Sequence, residues 1–378
     1  MDKIQNFRCP RIVFGNRAIE KIADEIKSQN SKKIMIITSK SNRPNAQKIR
    51  DLLSGFEVEI FDAVEPEPSL GTLSKCIESL KNGGHDTVIG LWGGIVLDVA
   101  KAAAVLCKNP GTPHDYLGID KIKNAGLKKI LIPTTSGTGS EVTHVSVFLD
   151  ENKKKVVMYS PYLFADLALI DPVLTLSLPK KITAETGMDA LGHAIESYIS
   201  LNASPLTESL SLKAIELIGK SLQLAVEDGS NLEARYNMSL AATVAGIAFL
   251  NAGCNLGHAL ALAVGGKYNI SHGLSVALMM PYAVEFNAQT AEEKLKVVCG
   301  LLCEKKGEKK SKKKKSAAET IRDLMKSIGI DGHLTNYGFR AEDIKELAET
   351  TMAASRLLVN NPRKVTLEDV VRLFERVK

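Results

Sequence analysis

Two rhythms of apolar and polar positions run along this chain. Over roughly the first 170 residues, short β-branched runs take turns with stretches of helical spacing. Lys33–Thr38 (KIMIIT), Val58–Phe61, Asp86–Leu91 and Lys129–Ile132 read as strands, and Ala46–Leu53, Leu73–Asn82 and Val96–Cys107 as helices. Thr72 is the expected N-cap of the second helix and Gly83-Gly84 its stop, because a hydroxyl accepts from a free N–H and glycine tolerates the left-handed turn that ends a helix. Strands alternating with helices predict a parallel sheet covered by helices. From about Thr183 the pattern changes: Ala184–Ile199, Thr207–Asp228, Leu232–Leu250 and Ala341–Leu358 carry apolar residues at helical spacing. The chain therefore reads as an α/β domain over residues 1–180 and an all-α helical domain over residues 181–378. The change falls at Asp171–Lys181, where two prolines interrupt the chain. Two such domains predict an active-site cleft between them.

Composition narrows the classes. With 378 residues, 44% hydrophobic and 24% charged, the chain is neither disordered nor a small disulfide scaffold. No run approaches the ~20 apolar residues of a spanning helix, and MDKIQNFRCPRIVFG lacks the apolar core of a secretory signal. A cytoplasmic protein with no membrane partner is expected. The six cysteines form no CxxC pair and read as reduced thiols. The net charge of +6 hints at nucleic acid until it is located: Glu304–Lys315 holds eight Lys and two Glu, and elsewhere basic and acidic residues are equal in number. A nucleic-acid surface would spread its basic footprint over a domain, so the run reads as a solvated loop and no nucleic-acid partner is expected.

Two small-residue segments carry candidate cofactor chemistry. Val88–Lys101 (VIGLWGGIVLDVAK) has the order strand, Gly93-Gly94, helix, which offers the free N–H groups of a helix start to phosphate. Ile132–Thr143 (IPTTSGTGSEVT) is rich in hydroxyls and glycine. Either alone is an ordinary turn or loop; both within one α/β domain point to a nucleotide site.

The histidines are few and placed informatively. Asp189 and His193, four apart in GMDALGHAIESY, share one helical face. His258 sits in NLGHALALAVGG and His272 in ISHG, both in apolar helical surroundings. A single such histidine is usually a hydrogen-bonded core residue. Four ionisable groups in apolar helices must be paired with one another or hold a metal, and three imidazoles with one carboxylate suit Fe(II) or Zn(II) rather than a hard cation. His85, His114 and His333 lie in polar, turn-like segments and read as solvated.

At this point the chain resembles the iron-containing (group III) alcohol dehydrogenases, from near residue 5 onward. The strings GGIVLDVAK, IPTTSGTGSEVT, LALIDP, TGMDALGHAIESYIS, GHALALAVGG and SHG match together in order and spacing. The resemblance implies an N-terminal dinucleotide-binding domain, a C-terminal helical domain, a homodimer or larger assembly, and a divalent metal, Fe2+ with Zn2+ as the alternative. Its ligands would be Asp189, His193, His258 and His272. The glycerol dehydrogenase and dehydroquinate synthase types do not use that set. The cofactor positions it implies are Gly93, Gly94, Asp98, Thr134, Thr135, Thr138, Thr143 and Lys155.

Four positions depart from the family pattern. Gly-Gly-Gly-Ser is replaced by Trp92-Gly93-Gly94-Ile95, where a positive φ at Trp92 would be strained. Leu262 stands where many members have a further histidine, and Ser271 where a proline precedes the final ligand. Thr38-Ser39-Lys40, with Arg43 nearby, replaces the acidic residue that binds the adenosine ribose. This arrangement should accept a 2′-phosphate at Ser39, favouring NADP(H) over NAD(H). The expected activity is metal-dependent, NAD(P)-linked interconversion of an alcohol with its aldehyde or ketone, with no catalytic side chain beyond the ligands. The alternatives are a hydroxyacid–oxoacid transhydrogenase or reductase, a lyase of the dehydroquinate synthase kind, and a metal-binding relative without turnover.

Overall fold

A computed structural model describes residues 6–303 and 315–377. Of the lysine-rich run, all but Lys315 lies outside the described residues. The chain divides into two compact units: Cys9–Thr135 with Gly139–Thr175, and Leu176–Lys378 with Ser136–Thr138 and Met1–Arg8.

The first unit is built on a parallel sheet. Its strands are β1 (Ile12–Phe14), β2 (Lys33–Ile37), β3 (Glu57–Phe61), β4 (Thr87–Trp92), β6 (Lys128–Pro133) and β9 (Leu167–Ile170). They lie in the order β1-β9-β6-β4-β2-β3, every pair parallel. Strand periodicity divides the core between the two faces. Ile34 and Ile36 pack with α1 (Ile22–Ser28) and α2 (Arg43–Leu52), whereas Met35 and Ile37 pack with α3 (Leu70–Gly83) and α4 (Gly94–Leu106). The apolar strand runs in the sequence are thus strands covered on both sides. A smaller sheet, β5 (Gly118–Ile119), β8 (Lys155–Tyr159) and β7 (Val145–Leu149), includes an antiparallel hairpin.

Local chemistry adjusts the expected ends. The cap of α3 is Ser69, not Thr72: the Ser69 hydroxyl accepts from the Thr72 N–H at 3.1 Å. Glu65 starts the turn early by accepting from the Ser69 N–H and the Thr72 hydroxyl. The helix ends as expected at Gly84, in the left-handed region at φ 66°. His85 is buried, not solvated, and lies 3.2 Å from Glu59.

Gly90 lets α4 lie close against the sheet. A Cβ there would lie 2.7 Å from the Ala100 methyl and 2.9 Å from Leu131. Gly90→Ala is expected to lower stability by about 1–3 kcal/mol through overpacking, read as a fall in Tm. An unchanged Tm would mean that α4 can back away from β4.

The second unit is helical: α5 (Lys180–Ile199), α6 (Pro205–Glu227), α7 (Leu232–Ala252), α8 (Leu256–Tyr268), α9 (His272–Cys303), α10 (Ala317–Ser327), α11 (Ile344–Ala353), α12 (Ser355–Leu358) and α13 (Leu367–Arg376). Thr183–Ile199 of α5 is buried almost throughout, as a helix packed on several sides by α6, α7 and α9 must be. The single helix expected over Ala341–Leu358 is instead a 3₁₀ turn followed by α11 and α12, broken at Ala354 (ψ 41°). No single described helix is long and apolar enough to cross a membrane.

Candidate active site

Three helices bring four ionisable side chains to one point in the helical unit. Asp189 and His193 stand one turn apart on α5, His258 lies in the first turn of α8, and His272 opens α9. Asp189 Oδ1 lies 3.8 Å from His193 Nε2, 3.7 Å from His258 Nε2 and 3.5 Å from His272 Nε2. One ligand atom from each residue lies within 4.8 Å of all the others. Asp189, His193 and His258 are buried, and the His272 side chain remains 36% exposed. Phe249 stacks on His193 with ring centroids 4.3 Å apart.

The donor set fits a divalent cation. Asp189 Oδ1 and His258 Nε2 are buried and have no hydrogen-bond partner, a costly state unless another group meets them. Burial pushes the Asp189 carboxyl up, but His193, His272 and His258 outweigh it and hold it below the usual carboxylate range. Burial pulls His193 down to about 4. Burial pulls His258 down too, but Cys254, Glu196 and Asp189 outweigh it and hold it above the usual imidazole range, so a metal would bind there with loss of that proton.

A fifth residue, absent from the sequence expectations, orients one of the four. Glu196 is 1% exposed, and its carboxylate accepts from His258 Nδ1, from Gly257 N–H at 2.6 Å and from His258 N–H at 3.2 Å. With Nδ1 donating to a carboxylate, His258 turns the lone pair of Nε2 toward Asp189. The signal was an acid inside the apolar string HAIESYI, seven residues after Asp189 and so on nearly the same helical face.

The expected cofactor residues separate into groups. Gly93, in extended backbone (φ −74°, ψ 174°), caps α4 without a side chain, so the first N–H groups of α4 have no intrahelical acceptor. Thr134 and Thr135 flank this start: Thr134 N–H donates to the Trp92 carbonyl, and a Cβ on Gly93 would touch the Thr135 side chain at 3.4 Å. Thr134 Oγ1 is a further buried oxygen without a partner. Asp98 and Thr143 belong instead to a network around Lys101. Asp98 accepts from the Ser140 hydroxyl, the Val147 N–H and the Lys101 ammonium at 2.7, 3.0 and 2.9 Å. Lys101, fully buried, also donates to Ser140 O and Oγ, Thr143 Oγ1 and Val145 O. Thr138 groups with the helical unit, Lys155 opens β8 opposite Leu149, and Ser39 bridges Ala63 beyond β2.

Two family models match the chain. Iron-containing alcohol dehydrogenase matches residues 9–172, and the Fe-containing alcohol dehydrogenase family, C-terminal, matches residues 183–377. The chain belongs to the iron-containing alcohol dehydrogenase family. It is 38% identical to long-chain-alcohol dehydrogenase 1 of Geobacillus thermodenitrificans over 97% of this chain and 96% of that one. The structure of a 1,3-propanediol oxidoreductase superposes with TM-score 0.93 at 32% identity, covering both chains fully. Sulfoacetaldehyde reductase from Bifidobacterium kashiwanohense, in complex with NAD+, superposes at 0.90 with 29% identity over 99% of each chain. As an iron-containing alcohol dehydrogenase, the protein is an oxidoreductase that interconverts alcohols and aldehydes.

Against the pattern of this family, the departures have local answers. Trp92 ends β4 in ordinary strand conformation and is not among the residues of positive φ, so the expected strain is absent. Leu262, half-buried, lies one turn beyond His258 on α8. The Ser271 hydroxyl donates to Glu185 at 2.7 Å, and its carbonyl accepts from Ser275 N–H. Ser271 thereby ties the start of α9 to α5, a bond that a proline could not make. Arg43 is ion-paired with Asp62.

Proposed function

We propose that this member is an iron-dependent, NAD(P)-linked alcohol dehydrogenase, a cytoplasmic homodimer, with Asp189, His193, His258 and His272 as the metal ligands. The carrying observation is the partnerless buried oxygen of Asp189 facing three imidazole Nε2 atoms. When bound, the divalent ion supplies Lewis acidity at the substrate oxygen and the nicotinamide gives or takes hydride. Zn2+ fits the same donors; the family name favours iron.

The chain's own residues orient and shield. Asp189 supplies the negative charge, Glu196 fixes the His258 tautomer, and the Phe249 ring keeps water from His193. His272, the most open of the four, is where solvent reaches the set and carries the proton away. The start of α4 at Gly93 and Gly94 receives the pyrophosphate, with Thr134 and Thr135 beside it, and Thr138 and Lys155 are proposed as further cofactor residues. Asp98 and Thr143 act through Lys101 by holding the shape of the segment that contains Ser140. Anaerobic purification with elemental analysis, followed by nicotinamide absorbance over a panel of aldehydes, tests this reading. About one iron per chain and aldehyde-dependent cofactor oxidation are expected; full turnover of metal-stripped protein would overturn it.

The finer proposal is a preference for NADP(H). Ser39 offers no carboxylate to repel a 2′-phosphate, Lys40 is adjacent and exposed, and Arg43 would exchange Asp62 for the phosphate. Ser39→Asp is expected to weaken NADP(H) about tenfold or more, ~1.4 kcal/mol, with little change for NAD(H). An unchanged ratio of the two Kd values would move discrimination elsewhere.

A further inference from the structure

His272 is the least enclosed of the four ionisable side chains, 36% exposed against 3% for Asp189, 6% for His193 and 7% for His258. It is also the first residue of α9, reached from α8 through Asn269, Ile270 and Ser271, with Asn269 in the left-handed region at φ 53°. Packing fixes such a side chain less than it fixes His193 or His258, so its place depends on how the start of α9 is held.

Glu185 is the point of attachment. It stands one turn before Asp189 on the same face of α5. The residue is 5% exposed, and a carboxyl group so placed is costly without a hydrogen-bond donor. The Ser271 hydroxyl is that donor at 2.7 Å, and the exposed Lys181 ammonium stands 3.9 Å from the other oxygen. A serine ahead of a helix commonly serves the helix's own N–H groups. Ser271 instead sends its proton across to α5, while its carbonyl accepts from Ser275 N–H at 2.9 Å. On the other side of His272, Gly273 lies against the same residue: a Cβ there would sit 2.3 Å from the Glu185 carbonyl oxygen. The backbone of His272 is thus pinned to α5 from both sides at Glu185, one turn from Asp189, whose Oδ1 lies 3.5 Å from His272 Nε2.

We propose that Ser271 and Glu185 are positioning residues for His272, their hydrogen bond holding its imidazole toward Asp189 before any ion arrives. The inference rests on His272 being a metal ligand. Without the bond, the first turn of α9 is free to lift, and each binding event must order the ligand again.

The test is Co2+ binding to the metal-stripped full chain, read by chelator competition and by the d–d absorption of the bound ion. Ser271→Ala, at an exposed position, and Glu185→Ala should each weaken Co2+ about 10–100-fold and alter the absorption. The double variant should be no weaker than the worse single one, because both remove the same bond. Ser271→Thr and Glu185→Gln keep a hydroxyl donor and an oxygen acceptor and should bind as the parent does. His272→Ala separates the two readings: parent-like affinity in that variant removes His272 from the ligand set, and the proposal with it. Weak binding by His272→Ala beside parent-like affinity in both alanine variants, whatever their Tm, overturns the proposal alone. So do additive losses in the double variant, or losses in Ser271→Thr and Glu185→Gln equal to those of the alanine variants.

Discussion

Asp189→Asn is expected to leave a folded protein that binds almost no divalent metal and turns over at least about a thousandfold more slowly, the scale of losing a central electrostatic group. The substitution keeps the volume of a buried side chain but removes the negative charge that faces all three imidazole Nε2 atoms. An amide nitrogen aimed at the imidazoles would also present N–H groups where lone pairs converge. Two measurements check this apart from activity: metal per chain, and Tm with and without added Fe(II). Metal at a thousandfold over its Kd stabilises the native protein by about 4 kcal/mol, and the variant should show no such gain. Full metal loading of the variant would remove Asp189 from the ligand set.

Glu196 gives the second large effect, and two substitutions separate its roles. Glu196→Ala strips the acceptor from His258 Nδ1 and from two buried backbone N–H groups. It should cost about 3 kcal/mol of stability, the scale of breaking a buried hydrogen-bonded pair, and weaken metal binding about 10–100-fold. Glu196→Gln keeps an oxygen for the backbone N–H groups but presents an amide N–H to Nδ1. His258 then takes the other tautomer, with the proton on Nε2, where the lone pair is needed. Stability near that of the parent, with metal affinity still lowered, is the expected result in denaturant titration and chelator competition. Parent-like affinity in both variants would show that His258 is oriented by something else.

The contrast between Asp189 and Glu196 shows what the sequence made legible. Asp189 and His193 could be paired from helical spacing alone, because both lie on one element. Glu196 lies on the same helix and its apolar neighbours mark it as buried, but its partners come from the start of α8, so its role could not be read from the local sequence. Strands with apolar runs were readable because helices cover both of their faces; the β7–β8 hairpin, with alternating burial along β7 and the polar turn residues 150–154, was not. His85 was misplaced for a related reason. Its segment looks like a turn, yet the ring fits against Gly83, where a Cβ would lie 2.2 Å from it. At Ala354 the apolar spacing continues through a break in the backbone, so the pattern could not register it.

Lys101 at the end of GGIVLDVAK has the look of a surface lysine, yet its ammonium is dry. Ser140 O and Oγ, Thr143 Oγ1, Val145 O and Asp98 surround it as water would surround a free cation. The protein has in effect supplied a hydration shell, from Asp98 one turn earlier and from residues some forty positions later, with a covalently tethered ion at its centre. A potassium ion could fill such a shell only by binding and leaving; this one cannot leave. The segment from Ser140 to Val145 is therefore moulded around an internal nitrogen that is part of the chain, so its order needs no dissolved cation.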